Sequence, residues 1–224
     1  MTINTNASIE YPRAVLFDLL TGLLDSWTVW NAAAGSETKG RAWRAEYLRL
    51  TYGCGAYQPY EQLVRLAANN TMMDSGAVNR LDAAWLSIPV WSGARELLQS
   101  LAPHCKLAVV TNCSITLGKQ AANRLNIAWD AVITSEEAGY YKPDPRPYQM
   151  ALDRLGVKAS DAAFIAGSGY DLFGTAKVGL RTFWHNRVGL TRPEGAPLPE
   201  VESPTFIEAL PWLQNFKSQH QPRD

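Results

Sequence analysis

Three ionisable side chains stand where the chain pattern favours chemistry. Asp18 directly follows a short apolar run, Lys142 lies in a Tyr-Lys-Pro-Asp segment, and Asp171 follows a Gly-Ser-Gly turn. A carboxylate can attack carbon and form an ester, a neighbouring lysine keeps it ionised, and hydrogen-bond donors hold anionic groups. Thr111 and Asn112, at the end of another apolar run, supply such donors. These residues together predict covalent catalysis by a carboxylate.

Alternating strand and helix patterns place these residues at one edge of a sheet. Apolar runs typical of buried strands alternate with segments typical of helices: strands at 14–17, 106–111, 131–134, 162–166 and 181–184, and helices at 115–125, 145–155, 170–178 and 207–216. The alternation predicts a doubly wound parallel α/β sheet with helices on both faces. Because ligands of open α/β sheets bind at the carboxyl ends of the strands, the polar strand ends face one crevice.

The segment that follows the first strand is helical in pattern. Apolar residues at helical spacing predict three helices, at 39–52, 57–70 and 75–85. We predict an α/β core domain of residues 11–26 and 90–217, and a helical cap subdomain of residues 27–89 inserted over the C-terminal edge of the sheet. The residues from Gln219 onward are expected to fray.

Composition and charge argue against several classes of function. The 224 residues are 46% hydrophobic, carry equal numbers of acidic and basic side chains, and contain no apolar run near the roughly 18 residues that a membrane helix needs. Nucleic acid and membrane partners are therefore not expected. The polar start, three cysteines without CxxC spacing and three widely separated histidines predict a reduced, cytoplasmic protein without a histidine-based metal site.

The ordered set of strand-end residues resembles the haloacid dehalogenase superfamily over about residues 13–187. Within that superfamily the chain is most similar to the L-2-haloacid dehalogenase branch, in the pair Trp43-Arg44 and in the runs from Tyr141 to Tyr148 and from Phe183 to Arg187. The resemblance implies a Rossmann-like sheet of five or six strands and a homodimer. It also implies that a small carboxylate and water are the molecules bound.

The resemblance further implies a role for each matched residue. Asp18 attacks C2 of the substrate to form an ester, and Lys142 holds the Asp18 carboxylate. The other implied contacts involve substrate or water: Thr111 and Asn112 with the substrate carboxylate or an oxyanion, Arg44 with the substrate from the cap, and Tyr148 and Asp171 with Lys142 and the hydrolytic water.

Most of these residues also have a purely structural interpretation. Asp18 and Asp171 can serve as turn or helix-capping residues, and Lys142 can be an ordinary loop lysine. Arg44 can be an exposed arginine on a helix, and Tyr148 is more readily explained by packing than by catalysis. Their joint occurrence, in order and at successive strand ends, favours function.

Two departures from the superfamily argue against a metal cofactor and against phosphatase or mutase activity. The phosphatases carry a second acid two residues after the nucleophile, where this chain has Leu20, and another acid where it has Gly167. Leucine cannot act as a general acid, and Mg²⁺ requires several oxygen ligands. We therefore predict a hydrolase that uses neither a metal nor another cofactor.

Further departures concern the substrate site. The Gly-Thr pair that usually follows the dehalogenase nucleophile is inverted to Thr21-Gly22, and the Ser and Asn that help to position water are Ala166 and Ser168. We predict that Leu20, Thr21 and Ser168 line a rebuilt pocket for the leaving group and water. This change counts against plain dehalogenation.

The leaving group must depart without a proton donor, because Leu20 supplies none. A protonated ring amine already carries its proton, and Trp27, Trp30 and Tyr47 offer aromatic faces to a cation, although packing of the cap against the core also explains them. The segment from Phe17 to Trp27 is similar to the L-azetidine-2-carboxylate hydrolase offshoot of the branch. The predicted substrate is therefore L-azetidine-2-carboxylate, opened to 4-amino-2-hydroxybutyrate. The alternatives are an (S)-2-haloacid dehalogenase and an inactive binding protein.

Overall fold

A six-stranded parallel sheet forms the centre of the computed structural model, which describes residues 10–216. Its strands are β1 (Ala14–Phe17), β2 (Lys106–Thr111), β3 (Ala131–Thr134), β4 (Ala162–Ala166), β5 (Arg181–His185) and β6 (Val201–Ser203). Their order is β3-β2-β1-β4-β5-β6, and every neighbouring pair is parallel. The predicted doubly wound α/β fold is confirmed. The predicted end of the core at residue 217 and the fraying from Gln219 lie outside the described residues.

β1 occupies the middle of the sheet because its residues are apolar on both faces. Val15 and Phe17 pack into one hydrophobic cluster, and Ala14 and Leu16 pack into a second cluster on the opposite face. All four side chains are fully buried. A parallel strand covered on both faces reads as a continuous apolar run, which is why the sequence reveals it.

Helices cover both faces of the sheet, as the alternating pattern predicts. The helices of the core are α5 (Ala94–Leu101), α6 (Ile115–Asn123), α7 (Ser135–Ala138), α8 (Pro145–Leu155), α9 (Asp171–Val178) and α10 (Ala209–Gln214). Asp171 is the first residue of α9, and its side chain makes no capping bond. The helix-capping interpretation of Asp171 is therefore wrong.

Four α-helices lie between β1 and α5. They are α1 (Ser26–Ala34), α2 (Glu37–Gly53), α3 (Tyr60–Asn70) and α4 (Ala77–Ala84). The chain leaves the core and returns to it at adjacent points, because Leu24 pairs with Val90 and the amide of Asp25 donates to the carbonyl of Pro89 at 2.8 Å. The four helices thus form a single insertion that begins after the first strand.

The inserted helices pack over the C-terminal edge of the sheet. The Tyr47 hydroxyl donates to the carbonyl oxygen of Asn112, just after β2, at 3.3 Å. The Ser114 hydroxyl donates to the Glu61 carboxylate at 2.6 Å, and the Trp85 indole donates to the Leu117 carbonyl at 3.0 Å. Within residues 10–216, no helix combines the length and apolar character needed to cross a membrane.

Candidate active site

Asp18 is held by the turn that follows it, which we call the nucleophile turn (residues 18–23). Leu19–Leu23 forms a single π-helical turn, a local geometry that is rare and frequent at functional sites. Oδ2 of Asp18 accepts three hydrogen bonds, from the Thr21 amide at 3.1 Å, the Thr21 hydroxyl at 2.6 Å and the Gly22 amide at 2.8 Å. The hydroxyl of Thr21 thus serves the carboxylate, although Thr21 also lines the cavity described below.

Lys142 joins the two carboxylates predicted for the site. Its Nζ lies 2.7 Å from Oδ1 of Asp18 and 3.0 Å from Oδ1 of Asp171. The Tyr148 hydroxyl donates to the same Asp171 oxygen at 2.6 Å. Oδ2 of Asp171 is buried and has no hydrogen-bond partner within residues 10–216. One cation therefore links two buried acids, and one acid oxygen is left to accept a further proton.

Asn112 positions the backbone of Lys142. Its Nδ2 donates to the Lys142 carbonyl at 3.0 Å, and its Oδ1 accepts from the Lys142 amide at 2.7 Å and from the Ser135 hydroxyl at 2.8 Å. Asn112 borders the cavity, but its side chain is engaged by the lysine segment. Its observed contacts support the lysine, whereas the sequence predicts a contact with substrate.

Electrostatics separate the roles of the two acids. Burial works to raise the pKa of Asp18, but the Lys142 ammonium and the donors of Thr21 outweigh it and hold that pKa below its ordinary value. Burial raises the pKa of Asp171, and the charge of Asp18 adds to that effect, against the opposing effect of Lys142. Although burial opposes its charge, the two carboxylates raise the pKa of Lys142. Asp18 is thus the more acidic of the two carboxyl groups, and Asp171 takes up a proton more readily.

A cavity of about 220 Å³ opens on these groups between the core and the inserted helices. The predicted residues that line it from the core are Asp18, Leu20, Thr21, Asn112, Lys142, Ser168 and Asp171. The predicted residues that line it from the inserted helices are Trp27, Arg44 and Tyr47. The volume suits a small molecule.

Arg44 is a buried cation that makes no salt bridge within residues 10–216, although the charge of Asp18 acts on it. The residue is 9% exposed, and its Nη1 donates to the Ser26 hydroxyl at 2.8 Å. Its guanidinium lies over the ring of Trp27, 4.2 Å from the centroid. Burial lowers the pKa of Arg44, but a guanidinium stays charged in proteins. A charge of this kind, facing a cavity, is suited to bind an anion.

Three predicted substrate contacts lie outside the cavity lining. Thr111 is buried at the end of β2 with its methyl group directed at α6, since a Cβ at Gly118 would lie 3.4 Å from it. Trp30 packs inside the cap against Trp43, with ring centroids 4.8 Å apart. Tyr148 is fully buried and acts on Asp171. For Thr111 and Trp30 the expected contact with substrate stays a prediction.

Sequence reasoning missed further residues of the lining. Leu48 and Tyr52 lie four and eight positions after Arg44 on α2, so helical spacing could have identified them. Tyr52 also packs against Tyr170, with centroids 4.6 Å apart. A further part of the wall comes from a segment without regular structure, which has no periodic signal: Leu190, Thr191 and Pro193.

The donor set does not fit a magnesium ion. Leu20 lines the cavity where the phosphatases have an acid. At Gly167 a Cβ would collide with the Gly22 amide nitrogen, so the close approach of the nucleophile turn excludes any side chain there. Within residues 10–216, no group of three or more His, Cys, Asp or Glu side chains could hold a metal. Asp18 and Asp171 alone offer too few oxygen ligands for this ion.

Comparison with known proteins identifies the family. The family model for haloacid dehalogenase-like hydrolases matches residues 12–179. The chain belongs to the haloacid dehalogenase-like hydrolase family. It is 28% identical over 198 residues to (S)-2-haloacid dehalogenase 4A of Burkholderia cepacia, covering 81% of this chain and 86% of that protein. It is also 28% identical over 218 residues to (S)-2-haloacid dehalogenase 1 of Pseudomonas sp. strain CBS-3, covering 90% and 96%.

Solved structures of this family share the whole architecture. A dehalogenase solved as an intermediate complex superposes with a TM-score of 0.79 at 27% identity, over 92% of this chain and 99% of that one. The L-2-haloacid dehalogenase of Xanthobacter autotrophicus with chloropropionic acid covalently bound has a TM-score of 0.82 at 18% identity, over 92% and 100%, and supports the fold alone. The chain is thus a hydrolase of the haloacid dehalogenase type.

Proposed function

We propose that this hydrolase cleaves the bond between C2 and the leaving group of a small 2-substituted carboxylate. The observation that carries the proposal is the position of Arg44, a buried cation that makes no salt bridge within residues 10–216, on the same cavity as the ionised Asp18. A guanidinium binds a carboxylate through charge-assisted hydrogen bonds. Anchoring the substrate carboxylate on the cap directs its C2 carbon toward the nucleophile.

Oδ1 of Asp18 is the oxygen that attacks. Oδ2 already accepts three hydrogen bonds, whereas Oδ1 contacts only the Lys142 ammonium. Attack forms the bond from Oδ1 to C2, and the bond from C2 to the leaving group breaks with its electron pair. The product of this step is an aspartyl ester of the substrate.

Water then hydrolyses the ester at the Asp18 carboxyl carbon. Oδ2 of Asp171, which lacks a partner within residues 10–216, accepts the proton of the attacking water. The negative charge develops on Oδ2 of Asp18, which faces the Thr21 and Gly22 donors as in an oxyanion hole. The bond from the carboxyl carbon to Oδ1 breaks, and the departing alkoxide takes the proton held by Asp171 and leaves as the 2-hydroxy acid. The Asp18 carboxyl group loses the remaining water proton to solvent and keeps one oxygen from water.

A halide is the first candidate for the leaving group. Both relatives described above bear the name (S)-2-haloacid dehalogenase. A halide also leaves as a stable anion without a proton, which agrees with Leu20 at the position of the superfamily's acid. We therefore place an (S)-2-haloacid first among the substrates.

A strained ring amine is the second candidate, with L-azetidine-2-carboxylate as the substrate and 4-amino-2-hydroxybutyrate as the product. The observation that favours it is the aromatic lining of Tyr47 and Tyr52 beside a nucleophile without a general acid. Attack on C2 opens the protonated ring and releases a neutral amine. The face of Trp27 is already covered by Arg44, and Trp30 lies outside the cavity lining, so these two residues do not supply a binding face for the ring cation.

Incubation with (S)-2-chloropropionate and with L-azetidine-2-carboxylate tests the proposal. Release of chloride, or of the ring-opened amino acid, supports the corresponding candidate, and Asp18→Asn is the control for each. For the ring amine alone, the alkaline limb of the pH profile follows the pKa of the substrate nitrogen. Turnover of neither compound, at enzyme concentrations that would reveal slow reaction, would contradict the assignment.

A further inference from the structure

Two aromatic N–H groups contact the nucleophile turn from the side away from the cavity. Nε1 of Trp91 donates to the carbonyl oxygen of Thr21 at 3.0 Å, and Nδ1 of His185 lies 2.9 Å from the carbonyl oxygen of Gly22. Because a carbonyl oxygen only accepts, Nδ1 of His185 carries a proton. Neither residue lines the cavity. His185 belongs to the run from Phe183 to Arg187, and no residue of this run takes part in the catalytic steps proposed above.

The hydrogen bond from Trp91 is linked to Asp18 through a single peptide group. The carbonyl of Thr21 and the amide of Gly22 belong to one peptide group, and that amide donates to Oδ2 of Asp18 at 2.8 Å. A hydrogen bond to the oxygen of a peptide group polarises the group and strengthens its N–H as a donor. Trp91, the peptide group and Asp18 thus form one hydrogen-bond chain.

The surroundings hold both donors in place. The main-chain amide of Trp91 donates to the carbonyl of Leu23 at 3.0 Å, so the indole is tied to the turn it contacts. His185 is 1% exposed and packs on Phe206, with ring centroids 3.9 Å apart. Burial, with a further contribution from Arg187, lowers the pKa of His185 against the opposing effect of its contacts with the carbonyls of Gly22 and Pro204.

We propose that Trp91 and His185 are positioning residues of the nucleophile turn. Trp91 polarises the Thr21-Gly22 peptide group and so strengthens the Gly22 amide as a donor to Asp18, and His185 fixes the orientation of Gly22 through the carbonyl of the next peptide group. The kinetic part of this proposal rests on the proposed function. Negative charge collects on Oδ2 of Asp18 when water attacks the ester, so the effect falls mainly on ester hydrolysis and less on ester formation. The part that concerns the hydrogen-bond chain is independent of any substrate.

A single amide signal reports on this chain directly. Thr21-Gly22 is the one Thr-Gly pair in the sequence, so protein labelled with ¹³C at threonine carbonyls and ¹⁵N at glycine amides gives one correlated peak, that of Gly22. Trp91→Phe keeps an aromatic ring and removes the N–H donor. We expect the Gly22 proton resonance to move upfield, because its hydrogen bond to Asp18 weakens.

Kinetics of the same variant separate the two chemical steps. We expect kcat of Trp91→Phe to fall about two- to tenfold, the range of one neutral hydrogen bond, and KM to fall with it, so that kcat/KM stays nearly unchanged. The aspartyl ester should accumulate in acid-quenched samples analysed by mass spectrometry. Packing loss alone would not slow hydrolysis of the ester more than its formation.

Trp85→Phe is the matched control. It removes an indole donor that bonds a main-chain carbonyl at the same 3.0 Å distance, but at Leu117. The control should leave the Gly22 signal and kcat at wild-type values. A wild-type Gly22 signal and kcat in Trp91→Phe, or equal changes in the control, would overturn the proposal.

His185→Phe provides a second route if Trp91→Phe does not fold. The Gly22 signal should move and the ester should accumulate in this variant, and a wild-type signal would count against the proposal. If wild-type protein turns over neither tested substrate, the proposed function fails while the Gly22 signal still decides the positioning role.

Discussion

The two halves of the cavity differ in whether their buried charged groups form salt bridges. On the core side, Asp18 and Asp171 share the Lys142 ammonium at 2.7 and 3.0 Å. On the cap side, Arg44 is equally buried but contacts only the Ser26 hydroxyl and aromatic rings, with no carboxylate partner within residues 10–216. On the core side each charged group thus has a partner of opposite sign in the free protein, whereas for Arg44 we propose the substrate anion as that partner.

This difference separates catalysis from recognition. Reacting groups benefit from being preorganised, because no reorganisation is then needed as charge develops. A group that recognises the substrate binds it more tightly when it has no counter-ion in the free protein, because the substrate carboxylate then becomes the partner of a buried charge. Substitutions on the two sides should therefore have opposite effects on the stability of the free protein.

The largest effect is expected at the nucleophile. Asp18→Asn should reduce kcat on the order of 10⁴-fold or more, because a neutral amide is a poor nucleophile. Circular dichroism should show that the variant is folded. In a single turnover in ¹⁸O-water, wild-type protein should place the label in Asp18. Direct entry of the label into the product would contradict the ester mechanism.

Removal of the cation that Asp18 and Asp171 share should lower both the stability and the activity of the protein. Lys142→Met leaves two buried carboxylates without their partner, which should destabilise the protein by about 3–5 kcal/mol. Activity should fall by about 10²–10³-fold, the usual cost of losing one preorganised electrostatic contact. Urea unfolding and steady-state kinetics measure the two effects. Unchanged stability would show that Lys142 does not hold the two acids together.

Removal of the cap cation should have the opposite effect on stability. Arg44→Met should lower kcat/KM by about 10- to 150-fold, because a charge-assisted hydrogen bond to the substrate carboxylate is lost. The free protein should become more stable by about 1 kcal/mol or more, since a buried charge without a counter-ion has been removed. Thermal unfolding of the two single variants, Arg44→Met and Lys142→Met, makes the comparison direct. Destabilisation of both would remove the contrast between the two sides.

Acidification should separate the two acids of the core side. Asp18 has a pKa below its ordinary value and Asp171 has one above it, so Asp171 is protonated first as the pH falls. Protonated Asp171 cannot accept a proton from water, whereas Asp18 can still attack. The aspartyl ester should therefore accumulate at acidic pH, as measured by mass spectrometry after rapid quenching. A constant ester fraction across the acid limb would argue against Asp171 as the base.

Sequence reasoning reached the core side of the site more fully than the cap side. Asp18, Lys142 and Asp171 each follow or lie near a recognisable strand, and parallel strands bring their carboxyl ends to one edge. Trp30 was predicted to contact substrate because aromatic residues of a cap resemble a binding surface. The direction of a helical side chain depends on how the helix packs, and that is not a local property of the sequence.

Other features had no local signal at all. β6 has only three residues, Val201–Ser203, too few for a strand pattern to be visible. The contacts of Trp91 and His185 with the nucleophile turn join residues that are 70 and 163 positions apart. Such contacts are set by the sheet order and by the return of the chain at Val90. They can be read only from the three-dimensional arrangement.

The smallest effect is expected from chelation, and it tests whether the core side is complete. Leu20 and Gly167 supply no carboxylates, and Lys142 already lies between the two acids that are present. A divalent cation would have to displace this ammonium and would find too few oxygen ligands. Dialysis against EDTA should therefore leave kcat unchanged, and added Mg²⁺ should not raise it. Loss of activity with EDTA, restored by Mg²⁺, would show that the core side needs a second cation.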